Sequence, residues 1–473
     1  MDQSTTEQLH SDQQLERVTI GDKETEKGEA DTVLVAGQKR DEQDVGRREI
    51  RPEKRQKTYG VELKARGVCN RQDEKNLEVE KPVFRPWETV SGSLHVLDAR
   101  GNVEQTGGAT RTCKIAGFDL DGTLIVTRSG RKYALDHNDW KLFHPTLVPK
   151  KLDELVRQGY TLAIISNQHG VAKGHVTAAQ MQNKLEAIVK KLGLPMLVCF
   201  STKDDNMRKP RLGAWKELTK RLSTKSEQGI DKEVSFYCGD AAGRPKVAGR
   251  SKDFASTDYQ LALNAGVRFF TPEDLFLGTK QRVHTRPDTW ELGFDPKSIT
   301  LNDSAEPLLD PPSAQAVKEE QELVVLVGPP ASGKSFFANT YLSSYVVVSQ
   351  DELQTAAKCK KKCVEAITQK KSVVIDSTNR DPRARKEWIA IAKEKNLPIR
   401  CFEMDIDKPL SMHLNTFRSL TLERKVPDVA IHGFYKNVVP PTVNEGFAEV
   451  VKVPFRIDRN VSEADRILLQ SYI

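Results

Sequence analysis

The apolar run LVVLV leads directly into the segment GPPASGKS, and this junction constrains the fold more than any other feature of the sequence. The segment fits the pattern GxxxxGK[ST], in which backbone N–H groups at the start of a helix surround phosphate oxygens. Lys334 then reaches the β and γ phosphates and Ser335 binds Mg²⁺, while Gly328, Ser332 and Gly333 form the loop around the nucleotide. The junction therefore predicts a strand, a loop and a helix that bind ATP or GTP.

A second apolar run, KIAGF, leads into the segment DLDGT, which contains Asp119 and Asp121. In a parallel sheet, ligands bind at the carboxyl ends of the strands, which is where both aspartates are expected. There Asp119 can attack phosphorus as a nucleophile, and Asp121 can transfer protons. Gly122 allows the backbone to turn close to a ligand. The pattern DxDG also occurs in turns and in calcium-binding loops, so the motif alone leaves that alternative open.

Strand and helix patterns alternate through two long stretches of the chain. Strands are predicted at residues 114–120, 160–166, 195–201, 234–240 and 267–271, and again at 323–328, 345–351, 372–378 and 399–405. Helices separate the strands, which indicates parallel sheets with helices on both faces. We therefore predict an α/β fold class with two domains, residues 85–277 and 321–473. Residues 278–320 between them contain five prolines and no strong periodicity, which fits a linker or an irregular segment packed between the domains.

Further polar residues follow other strands of the first domain. Ser166 and Asn167 end the strand YTLAIIS and offer a hydroxyl and an amide to phosphate oxygens. Lys209 precedes a predicted helix and supplies an ammonium for the same anion. Asp240 ends the strand VSFYCGD, where a third carboxylate can hold Mg²⁺ beside Asp119. Taken singly, Ser166 also fits a helix cap and Lys209 a surface charge, so the prediction depends on their common order.

The spacing of these residues bears on the substrate. Only 47 residues separate Asp119 from Ser166, and 43 separate Ser166 from Lys209. Neither interval has room for a large cap domain once the sheet and helices are counted, so we expect an open site that accepts a macromolecular phosphate ester. Asp253 and Asp258 are weaker candidates for metal support, because both also fit ordinary helix caps.

The second domain contributes three more charged candidates. Asp351 ends the strand YVVVSQD and fits both a base for an acceptor hydroxyl and a helix N-cap. Asp376 ends the next strand, where it would support Mg²⁺ together with Ser335. Arg418 could close over the phosphates, although a surface salt bridge fits it almost as well. The segment KCKKKC lacks a second pair of ligands for zinc and is typical of a basic helix face that could touch nucleic-acid phosphates.

The net charge of +7 is unevenly distributed along the chain. Residues 1–80 contain 15 basic and 19 acidic residues, so the remainder carries a net charge of +11. A basic folded part indicates a polyanionic partner such as nucleic acid, although basic surfaces without one are common. Residues 1–84 are predicted to be a disordered charged tail, with order beginning near Trp87. Paired basic residues within 39–57 resemble a bipartite nuclear import signal, but a solvated tail fits them equally well.

Composition excludes several classes of protein. Seven cysteines among 473 residues cannot form a disulfide framework, and their odd number favours reduced thiols. A mean hydropathy of −0.54 without a long apolar run argues against a membrane protein. The first ten residues lack the basic start and apolar run of a secretory signal, so none is expected.

The order of the motifs resembles two known families in succession. The first domain is similar to the haloacid-dehalogenase phosphatases, and its fusion to a P-loop kinase resembles the bifunctional polynucleotide kinase 3′-phosphatase family. Agreement covers residues 85–473 and includes AGFDLDGTLIVTRSG, SNQHGVAKG, RKPRLGAW, GDAAGRP, TPEDLFLG, DSTN and HGFYK. The resemblance implies a Rossmann-like phosphatase sheet and an aspartyl-phosphate on Asp119, with Asp121 as acid and base. It also implies Mg²⁺ held by Asp119, the Asp121 carbonyl and Asp240.

The same resemblance implies that the phosphatase removes 3′-phosphates from DNA strand ends and that the kinase phosphorylates 5′-hydroxyls with ATP, Asp351 being the base. The expected partners are single- or double-stranded DNA ends and DNA repair proteins, and a nuclear monomer is expected. An RNA-end-healing enzyme remains the alternative, since contacts to a 2′-hydroxyl cannot be read from sequence. A small-metabolite kinase/phosphatase and a scaffold with vestigial sites are less favoured, because of the open site, the basic fold and the intact motifs.

Two features depart from the family pattern. Vertebrate relatives begin with a forkhead-associated domain, and residues 1–84 have neither the length nor the strand pattern for one, so we expect it to be lacking. After Asp351 the chain reads ELQTAAKCKKK where the family has a run similar to TLGSWQ. The kinase residues that contact the 5′-hydroxyl acceptor are therefore the part of the site for which the resemblance is the weakest guide.

Overall fold

The computed structural model describes residues 79–101, 112–223, 229–278, 289–299, 307–457 and 461–473. The predictions of a charged tail, as far as residue 78, and of a nuclear import signal within 39–57 concern residues outside these ranges.

Packed structure begins earlier than Trp87, where the sequence placed its start. Val79 and Phe84 pack against the first hydrophobic core, and Val83 forms a β-bridge with Arg100. These apolar residues are too few and too widely spaced to give a periodic pattern, so the sequence assigned them to the tail.

A seven-stranded sheet organises the first part of the chain. Its strands are β1 (Glu88–Val90), β2 (Leu94–Asp98), β3 (Lys114–Phe118), β6 (Tyr160–Asn167), β7 (Met196–Ser201), β8 (Phe236–Cys238) and β9 (Arg268–Phe270). They lie in the order β1-β2-β7-β6-β3-β8-β9. The β1–β2 and β2–β7 pairs are antiparallel, and the other pairs are parallel. A separate antiparallel pair, β4 (Ile125–Val126) and β5 (Lys141–Leu142), follows β3 along the chain.

Alternate side chains of this sheet enter two hydrophobic cores. Ala116 and Phe118 of β3 point into one core, and Ile115 enters the other. Such two-sided burial explains why the strand is apolar from Ile115 onward. Four helices lie between the strands in sequence: α1 (Leu147–Arg157), α2 (Ala178–Leu192), α3 (Gly213–Ser223) and α4 (Thr257–Ala265).

A five-stranded parallel sheet organises the second part. Its strands are β10 (Leu323–Val327), β11 (Val346–Ser349), β12 (Val373–Asp376), β13 (Ile399–Asp405) and β14 (Glu449–Pro454), in the order β11-β12-β10-β13-β14. Val325 and Val327 of β10 enter one core and Val324 and Leu326 the other. The two mostly parallel sheets confirm the predicted α/β fold class.

Seven helices accompany the second sheet in the described part of the chain. They are α5 (Lys334–Tyr341), α6 (Gln350–Leu353), α7 (Ala356–Thr368), α8 (Pro382–Glu394), α9 (Lys408–Thr421), α10 (Asp428–Asn437) and α11 (Glu463–Leu469). Across the described ranges, no helix has both the length and the apolar character that crossing a membrane requires.

The structure corrects some predicted boundaries. The strand predicted at 345–351 ends at Ser349, and Asp351 lies in the short helix α6. Strand β14 was not predicted from the sequence; its six residues pair with β13. In the predicted linker, Leu309 is buried in a core of the second sheet and the Phe294 ring packs on His413, so these parts of 278–320 pack against the second domain.

Candidate active sites

The carboxyl end of β3 places Asp119 beside β8. The Asp119 backbone N–H donates to the Cys238 carbonyl at 2.9 Å, which extends the parallel pairing by one residue. The chain then turns at Gly122, whose φ is +83°. A Cβ on Gly122 would lie 2.5 Å from an Asp240 carboxylate oxygen, so the absence of a side chain there lets the two strand ends approach.

Lys209 forms the centre of a buried charge network. Its Nζ donates to Asp119 Oδ1 at 2.5 Å, to Asp258 Oδ1 at 2.8 Å and to the Tyr237 hydroxyl at 2.9 Å. The Tyr237 hydroxyl in turn donates to the Ile165 carbonyl at 2.7 Å. The predicted phosphate ligand Lys209 is therefore held against the predicted nucleophile, and its ammonium offsets two carboxylates.

Three carboxylates meet at this point. Oxygen atoms of Asp119, Asp240 and Asp258 all lie within 4.8 Å of one another. The pKa of Asp119 is raised to about 7 and that of Asp240 to about 8, mainly because both carboxylates are buried. Repulsion from the neighbouring carboxylates raises both pKa values further. A divalent cation would relieve that repulsion, and carboxylate oxygens are the donors that Mg²⁺ prefers. The donor set therefore fits Mg²⁺.

Asp121 faces the same site and is fixed by two other side chains. Lys184 Nζ donates to its Oδ1 at 3.0 Å, and Gln168 Nε2 donates to its Oδ2 at 2.8 Å. Gln168 Nε2 also lies 2.9 Å from the hydroxyl of the buried Ser166. The structure thus brings Asp121 and Ser166 together through Gln168.

Asn167 positions the lysine loop. Its Oδ1 accepts from the Lys209 backbone N–H at 2.9 Å, and its Nδ2 donates to the Lys209 carbonyl at 3.0 Å. The sequence predicted Asn167 as a phosphate ligand; in the structure both ends of its amide hold Lys209. Asp253, a weak metal candidate, pairs instead with Arg244 and Arg250.

Sequence reasoning underrated or missed several residues of this site. Asp258 was only a weak candidate, because its position at the start of a helix is also that of an ordinary cap. Tyr237 lies inside an apolar strand, where an aromatic residue signals packing alone. Lys184 was missed, although a lysine on the apolar face of a predicted amphipathic helix is a usable signal.

An exposed aromatic surface lies on the loops that leave this site. The Tyr133 ring follows β4 and is 71% exposed, and Phe254 follows β8 and is 86% exposed. Lys132 Nζ lies 5.4 Å from the Tyr133 ring centroid and 5.5 Å from that of Phe254. Two solvent-facing rings therefore flank the Lys132 ammonium.

The glycine-rich loop between β10 and α5 forms the second site. Gly333, with a φ of +87°, ends the loop, and Lys334 starts the helix. Lys334 Nζ donates to the Pro329 carbonyl at 2.7 Å and to the Gly328 carbonyl at 3.1 Å, and lies 3.3 Å from the Ser332 hydroxyl. Burial lowers the pKa of Lys334 to about 8, with Asp376 and Asp351 acting in the opposite direction.

The predicted metal pair of the second site is in direct contact. The Ser335 hydroxyl donates to Asp376 Oδ2 at 2.6 Å. Asp351 and Arg418 are both close enough for their charges to affect Lys334. The structure therefore joins Ser335 to Asp376 directly, while Asp351 in α6 and Arg418 in α9 act on Lys334 through their charges.

A cavity of about 420 Å³ opens beside this loop. Its lining includes Gln350, next to Asp351, together with Ser377, Arg380 and Arg383 from the segment between β12 and α8. Asp381 caps α8 by accepting from the Ala384 N–H at 3.0 Å. Cys359 and Cys363 are buried in the core of this sheet.

Comparison with known proteins gives two family models. The model described as "Polynucleotide kinase 3 phosphatase" matches residues 114–276, and the model described as "AAA domain" matches 323–441. The fold and the two sites thus define a haloacid-dehalogenase-type phosphatase joined to a P-loop kinase.

Two relatives match most of the chain. The bifunctional polynucleotide phosphatase/kinase of Schizosaccharomyces pombe is 39% identical over 358 residues, which cover 75% of this chain and 83% of the relative. A putative bifunctional polynucleotide phosphatase/kinase of Acanthamoeba polyphaga mimivirus is 32% identical over 374 residues, 74% of this chain and 86% of the relative. The chain belongs to the bifunctional polynucleotide phosphatase/kinase family. It is also 29% identical over 234 residues to the polynucleotide 3′-phosphatase ZDP of Arabidopsis thaliana, covering 46% of this chain and 31% of that protein.

Proposed function

We propose that this enzyme repairs broken DNA ends by removing 3′-phosphates and by phosphorylating 5′-hydroxyls with ATP. The observation that carries the proposal is the presence, on one chain, of Asp119 fixed by Lys209 and of Lys334 in a phosphate-binding loop. The relatives' names point to polynucleotide ends as the substrate class.

In the phosphatase reaction, an Asp119 oxygen attacks the phosphorus of the 3′-phosphate, and the bond between phosphorus and the 3′ oxygen breaks. Asp121 gives its proton to that departing oxygen, which leaves as the 3′-hydroxyl. Asp121 then takes a proton from water as the water attacks the aspartyl-phosphate, which releases inorganic phosphate and restores Asp119. Lys209 and the Ser166 hydroxyl would bind the phosphate oxygens, Lys209 by exchanging one of its three present hydrogen bonds for one to phosphate.

In the kinase reaction, backbone N–H groups of residues 328–335 and Lys334 bind the ATP phosphates. Asp351 accepts the proton of the attacking 5′-hydroxyl, and Arg418 is close enough to Lys334 to offset charge on the phosphoryl group in transfer. In both sites Mg²⁺ would offset phosphate charge, held by Asp119, Asp240 and the Asp121 carbonyl in one and by Ser335 with Asp376 in the other.

A nucleic-acid substrate is supported by the surface of Tyr133, Lys132 and Phe254. Lys132 and Tyr133 lie between β4 and β5, and Phe254 lies between β8 and α4. Bases next to a bound 3′-phosphate would stack on these two rings. The net charge of +11 beyond residue 80 adds an attraction for the phosphate backbone. We further propose a nuclear, monomeric protein that works with other repair proteins, the paired basic residues of 39–57 acting as the import signal.

The test uses nicked duplexes with a 3′-phosphate and a 5′-hydroxyl, in DNA and RNA versions, with ATP and Mg²⁺. We expect both activities on DNA. Asp119→Ala should abolish 3′-dephosphorylation alone, and Lys334→Ala should abolish 5′-phosphorylation alone, so each variant is the folding control of the other. Absence of both wild-type activities on every nucleic acid would refute the proposal, and a large preference for RNA ends would replace DNA by RNA as substrate.

A further inference from the structure

Lys184 occupies a position that an amphipathic helix normally gives to an apolar residue. It lies on the buried face of α2 between Met181, Leu185 and Ile188, all of which belong to the first core. The residue is only 6% exposed. Burying an ammonium among apolar side chains costs free energy unless the charge is paired, so its retention requires a compensating role.

The ammonium of Lys184 reaches one carboxylate. Its Nζ donates to Asp121 Oδ1 at 3.0 Å, while Gln168 holds Oδ2 of the same carboxylate from the other side. Within the described ranges, Asp121 is the ion-pair partner that the structure gives for Lys184. The Asp121 side chain is itself 52% exposed, so water could solvate it without the lysine, and the pair is unnecessary for satisfying Asp121.

The main effect of the buried Lys184 charge is therefore to orient the Asp121 carboxylate, and its contribution to the stability of the fold is secondary. A half-exposed aspartate in a turn samples several rotamers, whereas proton transfer needs its oxygen within about 3 Å of the departing 3′ oxygen. Two donors on opposite oxygens, one of them on a packed helix, restrict that carboxylate to a single orientation.

We propose that Lys184 is a positioning residue of the phosphatase, which holds Asp121 in the orientation needed to protonate the departing 3′ oxygen. The inference rests on the acid/base role proposed above for Asp121. The step itself is unchanged: the proton moves from Asp121 to the 3′ oxygen as its bond to phosphorus breaks, and Lys184 neither gains nor loses a proton.

The first test is Lys184→Met, which keeps an unbranched apolar side chain and removes the ammonium. We expect kcat/KM for DNA 3′-phosphate to fall about 10- to 100-fold, because a misplaced proton donor loses much of its effect. Lys184→Arg, which keeps a donor, should recover part of that loss. Lys191→Met, on an exposed position of the same helix, is the matched control and should behave like the wild type.

The second measurement separates orientation of Asp121 from general damage to the fold. An oligonucleotide whose bridging 3′ oxygen is replaced by sulfur needs little protonation, since a thiolate leaves readily. Lys184→Met should therefore lower kcat/KM for this substrate, which reports the leaving-group step, less than about threefold. The 5′-kinase activity of the same variant should remain at the wild-type level.

Equal losses on the oxygen and sulfur substrates, or a full loss in Lys184→Arg as well, would overturn the inference. So would wild-type phosphatase activity in Lys184→Met. These outcomes differ from failure of the proposed function, in which the wild type itself would leave the DNA 3′-phosphate in place.

Discussion

At the scale of single residues, the phosphatase site depends on how closely two strand ends approach each other. Asp119 and Asp240 end neighbouring strands, and the turn at Gly122 lies against the Asp240 carboxylate. Catalysis by these carboxylates depends on the distance between them, and a methyl group added at Gly122 would change that distance.

We predict that Gly122→Ala selectively damages the phosphatase. Its Cβ would lie 2.5 Å from Asp240 Oδ2 and 2.6 Å from Asp240 Cγ, so the carboxylate must move. We expect 3′-phosphatase activity to fall about 100-fold or more, as for a catalytic group displaced by about 1 Å, with 5′-kinase activity retained. Both are measured on the same nicked duplex.

Gly130→Ala is the matched control for that change. Its φ of +74° imposes a similar backbone strain of about 1–2 kcal/mol, but nothing lies within 4 Å of its Cβ. Both variants should therefore lose similar stability in urea unfolding, while only Gly122→Ala loses the phosphatase. Equal phosphatase activity in the two variants would contradict the close-approach argument.

The site residues that could be predicted are those that belong to a recognisable motif of consecutive residues. Asp119, Asp121, Lys334 and Ser335 belong to contiguous motifs, each at a junction of strand and loop. Lys184, by contrast, meets Asp121 across 63 positions of sequence, and nothing local to either residue predicts that contact.

At the scale of elements, the buried strands that alternate with helices could be predicted from the sequence. The two-residue strands and the last strand, β14, could not. β10 and the part of β3 that follows Lys114 are apolar because both faces of each are buried. β4 and β5 have two residues each, which is too short for any period. β14 carries Glu449 and Lys452 within its six residues, and its position is set by pairing with β13.

Helix α2 carries Lys184, and its start is set by a local capping box. The Thr177 hydroxyl accepts from the Gln180 N–H at 3.1 Å, and the Gln180 side chain accepts from the Thr177 N–H at 2.9 Å. We predict that Thr177→Ala lowers the free energy of unfolding by about 1 kcal/mol, since it removes one end of the box. Urea unfolding measures this change.

Thr177→Ser keeps the hydroxyl and should restore most of that stability. Lys184 lies two turns further along the helix and stays packed in the core, so the phosphatase kcat should change little in either variant. A loss in Thr177→Ser as large as in Thr177→Ala would show that the methyl group, and not the cap, supplies the stability.

At the scale of the whole molecule, the second domain contacts the loop that carries Lys209. Asn264 of α4 donates to the Pro210 carbonyl at 2.9 Å and to the Tyr472 carbonyl at 2.8 Å, and its Oδ1 accepts from the Tyr472 N–H at 3.0 Å. On the same loop, Asp204 lies 3.6 Å from Lys425 of the second domain. The phosphatase loop is thus held in part by kinase residues, and no pattern within either domain predicts such contacts.

We predict that Asn264→Ala weakens the phosphatase from outside its site. The change removes three hydrogen bonds, so the free energy of unfolding should fall by about 1–3 kcal/mol, and 3′-phosphatase activity should fall several-fold because Pro210 adjoins Lys209. Lys425→Ala is the comparison: its partly exposed ion pair contributes about 0–1 kcal/mol, and activity should stay near the wild-type value. Urea unfolding and phosphatase assays check both variants. If Asn264→Ala retained full stability and activity, the contact with Tyr472 would have no part in holding Lys209, and the two domains would act as independent enzymes on one chain.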